Sequence, residues 1–361
     1  METKWMKLLE EQPDMDVIKE AGQIIKKGGL VAFPTETVYG LGGDGLNKEA
    51  AEKIYAAKGR PSDNPLIIHI ADRQDLERLV KELPAKAEQL ADAFWPGPLT
   101  MIFHKSEEVP CETTGGLSTV AVRYPNHPVA LAFIKESGGF VAAPSANTSG
   151  RPSPTSGAHV YEDLQGRIEM LLDSGEVGIG IESTIVDMTV EPPMILRPGF
   201  ITEEMLLQVI GNVTVDKTTQ KQIADMAPKA PGMKYRHYAP KGELTIVSGS
   251  SREVKDAINE LLEAAKEKGL RTGVIGTEEN IESYRADIKM SAGKKGDELT
   301  AARRLYSILR EFDEKKADVI YSEAFPGTGM GQAVMNRLLK AAGHKVIQVQ
   351  QRGEKNDSNW Q

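Results

Sequence analysis

The sequence predicts an α/β protein in two parts, and three observations point there. Its 361 residues are more than one hydrophobic core usually serves. Up to about residue 210, short apolar runs bounded by Gly and Pro alternate with stretches of helical spacing. From residue 242, strand and helix patterns alternate, the sign of a small, parallel, doubly wound sheet.

Taken in order, "GGLVAFPT" (28–35) reads as a strand after a Gly-Gly turn. The next segment, "KEAAEKIYAAK" (48–58), has helical spacing, with Gly59 as its stop and Pro61 just beyond. Further strands are read at 65–70, 98–103, 118–125, 139–144, 183–188 and 193–198, several ending in Pro, which suits edges or strand exits. Residues 213–241 are rich in Pro, Lys and Gly, without periodicity, and read as a linker that holds Tyr235, Arg236, His237 and Tyr238 together. The second α/β part spans 242–350: strand "ELTIVSG", a helix with a Ser start and a Gly stop, strand "LRTGVIG", then helix, strand, glycine loop and helix. A tail at 351–361 reads as disordered. The expected organisation is therefore a catalytic domain at 1–212, a linker or lid, and a smaller C-terminal domain.

Composition excludes several classes. Net charge is 44 − 52 = −8, so no global field draws nucleic acid, and any anion site must be local. Cys111 is the only cysteine, so no disulfide frame exists and a reducing cytoplasm is expected. The six histidines lack metal-ligand spacing and no Cys-x-x-Cys occurs, so no zinc site is expected. No apolar run approaches 18 residues, and the acidic start does not read as a signal peptide.

Five motifs bear on chemistry. The cluster "GLGGDG" (40–45), read alone, is a turn, because the spacing of a phosphate loop is missing. Thr35 and Thr37 before it offer hydroxyls to a polar ligand or simply suit a strand. Lys58 and Arg60, with Asn64, are either a solvated pair or a site for phosphate or carboxylate. "APSANTSGRPSPT" (143–155) is polar and small, but Ser145 has no nucleophile pattern. Arg123, Ser183 and Arg197 each put a polar group beside an apolar strand, which suggests one shared cation-lined cleft. The loop "PGTGMG" (326–331) reads as a tight strand-to-helix turn, or as an anion site at the helix N-terminus.

Together "PTETVYGLG", "KGRPSDNPL", "FWPGPLT", "VAVRYP", "APSANTSGRPSPT", "STIVD" and "LRPG" resemble the Sua5/YciO/YrdC family. "APGMKYRHYAP" followed by a second α/β domain resembles its long Sua5 type. The resemblance implies a YrdC-like twisted α/β domain with a concave cationic cavity. It also implies synthesis of threonylcarbamoyl-AMP from L-threonine, bicarbonate or CO2, and ATP with Mg²⁺, as the first step of a modification of tRNA adenosine 37. A downstream transferase complex would be the partner, with at most weak direct tRNA binding and no membrane. By the same resemblance Lys58 and Arg60 are catalytic and contact ATP, as do Asn64, Thr119, Ser145, Asn147, Ser153, Arg197 and His237. Thr35 (or Thr37), His69, Arg123, Ala143 by its backbone, and Ser183 contact threonine. His237 or a neighbouring Tyr closes over the nucleotide.

Overall fold

The computed structural model describes residues 1–216 and 237–349. Tyr235, Arg236 and the tail at 351–361, for which a lid and disorder were expected, lie outside the described residues. Strands of the first part are β1 (Lys4–Lys7), β2 (Val31–Phe33), β3 (Gly40–Asp44), β4 (Ile67–His69), β5 (Leu99–His104), β6 (Thr119–Arg123), β7 (Val141–Ala142), β8 (Met170–Asp173), β9 (Thr184–Asp187), β10 (Met194–Arg197) and β11 (Thr214–Val215). Its helices are α1 (Met15–Lys26), α2 (Lys48–Lys58), α3 (Leu76–Leu79), α4 (Ala85–Phe94), α5 (Pro128–Glu136), α6 (Gly157–Leu164) and α7 (Glu203–Ile210). The strands form one mixed sheet in the order β1-β8-β2-β3-β7-β4-β6-β5-β9-β10-β11.

Local chemistry explains the elements that matter for the site. Asn47 caps α2 by accepting the Glu49 N–H at 2.9 Å, and the helix buries Ala50, Ala51, Ile54 and Ala57. Gly59 ends it in the left-handed conformation, φ 60°, which glycine adopts without the Cβ penalty. That turn carries Lys58 and Arg60 inward, so the reading of a solvated surface pair is corrected: Lys58 is only 3% exposed.

The glycine cluster is also corrected. Residues 40–44, expected as a turn, form β3 between β2 and β7, antiparallel to both. A Cβ on Gly42 would lie 2.8 Å from Val141 Cγ1, and one on Gly40 would lie 3.1 Å from the Phe33 ring. The glycines thus serve close approach inside a sheet.

The second part has β12 (Glu243–Ser248), β13 (Thr272–Gly276), β14 (Ile288–Ser291), β15 (Val319–Glu323) and β16 (Val346–Gln348). With them are α8 (Ser251–Glu267), α9 (Glu298–Glu314) and α10 (Gly329–Ala341). All registers in this sheet are parallel, in the order β14-β13-β15-β12-β16. Val254, Ile258 and Leu262 of α8 cover one face with Val247 and Val274. Leu305 and Leu309 of α9 and Val334 and Leu338 of α10 cover the other with Leu244, Ile246 and Ile275. The sheet is doubly wound. Its second core also takes in Val38 and Ile181 of the first part, so the two parts share a packed interface.

Candidate active site

A cavity of about 60 Å³ opens in the first part, beside that interface. The β2–β3 loop brings Thr35, the end of α2 brings Lys58 and Arg60, and β4 and β6 bring His69 and Arg123. Ala143, Ser145 and Asn147 follow β7; Glu182 and Ser183 precede β9; Arg197 ends β10; His237 and Tyr238 lead toward β12. Residues as far apart in sequence as Thr35 and Arg197 meet here because the sheet orders its strands out of sequence.

Several of the polar groups are held by partners behind the cavity wall. Thr35 donates to the Val38 carbonyl at 2.6 Å and shares a 2.9 Å hydrogen bond with Thr37. Thr35 lines the cavity while Thr37, fully buried, accepts from Arg123 Nη1 at 2.9 Å behind it. Arg123 also forms a 2.8 Å ion pair with Glu36, so part of its fork is already engaged. Arg197 donates through Nε to the Ser183 carbonyl at 3.0 Å and through Nη2 to the Ser183 hydroxyl at 3.1 Å. Thr100 shares a 2.7 Å bond with that hydroxyl. The Ala143 N–H is held by the Ile67 carbonyl at 2.8 Å.

Lys58 does more than present a charge. Its Nζ donates to the carbonyls of Ser145 and, at 2.5 Å, Asn147, clamping the polar loop after β7. Burial, with Arg60 beside it, pushes the Lys58 ammonium well below its ordinary range. Burial also lowers Arg60, to about 10, so its guanidinium stays charged at neutral pH. His69 is driven down to about 3 by burial and by Arg123, and is therefore a neutral imidazole. Ser145 donates to Asn147 Oδ1 at 2.5 Å, which is no arrangement for a nucleophile and base.

Three expected residues stand outside the lining. Thr119 opens β6 opposite His104. Ser153 is buried behind the wall and donates to Glu182 Oε1 at 2.6 Å. Asn64 is 1% exposed, and among the described residues neither its side-chain nitrogen nor its oxygen has a hydrogen-bond partner. Its carbonyl accepts from Arg60 Nη2 at 3.2 Å, which ties it to the cation.

Sequence reasoning missed Glu182, which faces the cavity among the cations. Burial would lift its carboxyl, yet Arg337 and Arg197 with the Ser153 hydroxyl hold it down, at about 2. The sequence signal, an acid directly before "STIVD", was present, but its partner is 155 residues away. No group of three or more His, Cys, Asp or Glu side chains that could hold a metal occurs among the described residues. No helix among them is long and apolar enough to cross a membrane.

Comparison with known proteins gives a consistent result. Residues 23–199 match the Sua5/YciO/YrdC family model, described as telomere recombination. Residues 201–343 match one described as threonylcarbamoyl-AMP synthase, C-terminal domain. A threonylcarbamoyl-AMP synthase of Pyrococcus abyssi is 51% identical over 332 residues, 92% of this chain and 96% of that one. The protein of that name from Bacillus subtilis is 50% identical over 331 residues, 91% and 94% of the two chains. A crystal structure of P. abyssi Sua5 complexed with L-threonine matches with a TM-score of 0.92 at 48% identity, over 96% of this chain and all of that one.

Proposed function

The chain belongs to the Sua5/YciO/YrdC family in its long Sua5 form, and from that premise we propose that it joins L-threonine, CO2 or bicarbonate, and ATP into threonylcarbamoyl-AMP, releasing pyrophosphate. It is a nucleotidyltransferase on this reading. The observation that carries the reading is the convergence of Lys58 and Arg60 from the end of α2, Arg123 from β6 and Arg197 from β10 on one cavity.

The chemistry asks for charge and placement. A neutral threonine amine adds to CO2, loses a proton and becomes an anionic carbamate. A carbamate oxygen attacks the α-phosphorus of ATP, and pyrophosphate leaves. No strong base is needed for that attack, in keeping with the absence of a nucleophile–base pair around Ser145. What lowers the barrier is alignment plus neutralisation of charge spread over the phosphates. ATP enters as its magnesium complex, and Arg60 and Arg197 supply the fixed charges.

Lys58 shapes the Ser145–Asn147 loop around the triphosphate, and phosphate charge nearby restores its own proton. The unpartnered Asn64 amide supports a polar ligand group, such as a nucleotide, reaching it. Arg123, held by Glu36, and Ser183 receive threonine, with neutral His69 and the Thr35 hydroxyl beside them. Carbamates decompose in water, so closure matters. His237 and Tyr238 line the cavity and are the residues here that would meet the nucleotide. The product is an activated acyl adenylate, whose natural consumer is a transferase complex that delivers threonylcarbamoyl to tRNA. We place both in the cytoplasm.

The test is incubation of the pure protein with ATP, Mg²⁺, L-threonine and ¹³C-bicarbonate, followed by prompt mass spectrometry. A labelled threonylcarbamoyl-AMP that requires threonine, and falls about 10²–10³-fold in Arg60→Ala, is the expected result for loss of one oriented donor. Intact ATP with folded protein would overturn the assignment.

A further inference from the structure

Among the described residues the two largest fully buried side chains are arginines, Arg310 and Arg337, and both lie on helices of the second part. Arg337, on α10, reaches across the interface. Its Nε donates to Glu182 Oε2 at 3.0 Å, its Nη2 to the Glu182 carbonyl at 3.1 Å, and its Nη1 to the Pro198 carbonyl at 2.5 Å. One guanidinium therefore joins the residue before Ser183 to the residue after Arg197. These are the entrance of β9 and the exit of β10, the two strand ends that present Ser183 and Arg197 to the cavity. Tyr306 of α9 completes the arrangement, donating to Glu182 Oε2 at 2.8 Å while its ring packs 5.1 Å from Tyr238.

The spacing leaves little slack. A Cβ on Gly199 would lie 2.5 Å from the Thr184 nitrogen, so the two segments pass too closely for any side chain at 199. Three fork donors on three oxygens fix orientation as well as position, which a single ammonium cannot do. The cost of burying an arginine is met by the Glu182 carboxylate, itself fully engaged by Ser153, Tyr306 and Arg337.

We infer that Arg337 and Tyr306 are positioning residues of the active site: acting through Glu182 and Pro198, the second domain sets the placement of Ser183 and Arg197 and hence the affinity for threonine and ATP. This rests on the functional reading above. It makes the second domain part of the catalytic unit, with α9 and α10 packed against the Glu182 and Pro198 segments.

The experiment measures KM for threonine and for ATP, kcat, and Tm in the full chain for Arg337→Met, Arg337→Lys, Glu182→Gln and Tyr306→Phe. Folded Arg337→Met is expected to raise the threonine KM at least tenfold and the ATP KM several-fold, with kcat at saturation changed less than threefold. Arg337→Lys should recover only part of this, because an ammonium cannot span all three oxygens. Glu182→Gln added to Arg337→Met should cost little more than either change alone. A role confined to stability would lower Tm and leave KM untouched. Wild-type threonine KM in folded Arg337→Met overturns the inference. Where that variant does not fold, wild-type KM in Tyr306→Phe, which loses only a hydroxyl, overturns it instead. Failure of the wild-type protein to make the adduct would overturn the functional reading itself, a distinguishable result.

Discussion

At the scale of single residues, the site is built from groups whose ordinary behaviour has been altered by burial. Lys58, Arg60 and Arg197 are all pushed below their usual values, first by desolvation, an effect that an anionic ligand in the cavity would oppose. Asn64 shows the same logic without charge. A buried amide with no partner costs roughly 1–3 kcal/mol, and a fold bears that cost where a ligand group will meet it. Asn64→Leu should therefore weaken ATP binding about tenfold while leaving Tm equal to or above that of the unchanged protein. Calorimetric titration with a non-hydrolysable ATP analogue, beside a thermal melt, checks both halves. A lowered Tm with unaltered affinity would make Asn64 a structural residue.

At the scale of elements, the α6–α9 contact is the second anchor between the two parts. Arg310, 1% exposed, donates through Nη2 to Asp163 Oδ2 at 2.9 Å and to the Pro152 carbonyl at 2.6 Å. Arg151 pairs with the same Asp163 from the loop after β7. Removing Arg310 would leave the buried Asp163 carboxylate with one cation, Arg151, instead of two, beside the Thr148 N–H. Arg310→Met should cost about 3 kcal/mol of stability, the scale of breaking a buried pair. Adding Asp163→Asn should recover part of it, since the orphaned charge is then gone. Denaturant titration of the single and double variants decides this, and purely additive losses would contradict it. The sequence showed α9 as an amphipathic helix but gave no sign that an arginine in it is buried, because its partner belongs to another domain.

At the scale of the whole molecule, histidines withdrawn from water shape the response to acid, His127 among them. His69 and His237 are lowered to about 3 and His159 to about 4, in each case chiefly by burial. Below pH 6.5 the unfolded chain takes up protons that the folded one refuses, so stability falls as pH drops from 6.5 toward 4. Above 6.5 both states are neutral and the contribution is flat. Tm should decline steadily between pH 6.5 and 5, with a shallower slope in His159→Asn. A Tm unchanged across that range would show that these imidazoles are charged in the fold. The sequence by itself determined much here: the strand at 31–33, helix α2 and its glycine stop, the alternating second domain, and the residue types gathered for an anionic substrate. These follow from local periodicity and turn chemistry, which neighbours along the chain specify. Only the tertiary structure decided that "GLGGD" is a strand, since its glycines answer to Val141 and Phe33 across the sheet. It alone decided that Lys58 clamps a loop, and that Glu182, Tyr306 and Arg337 meet. Those contacts join residues 87 to 155 positions apart, and a spacing rule cannot see a partner that only strand order and domain docking bring near.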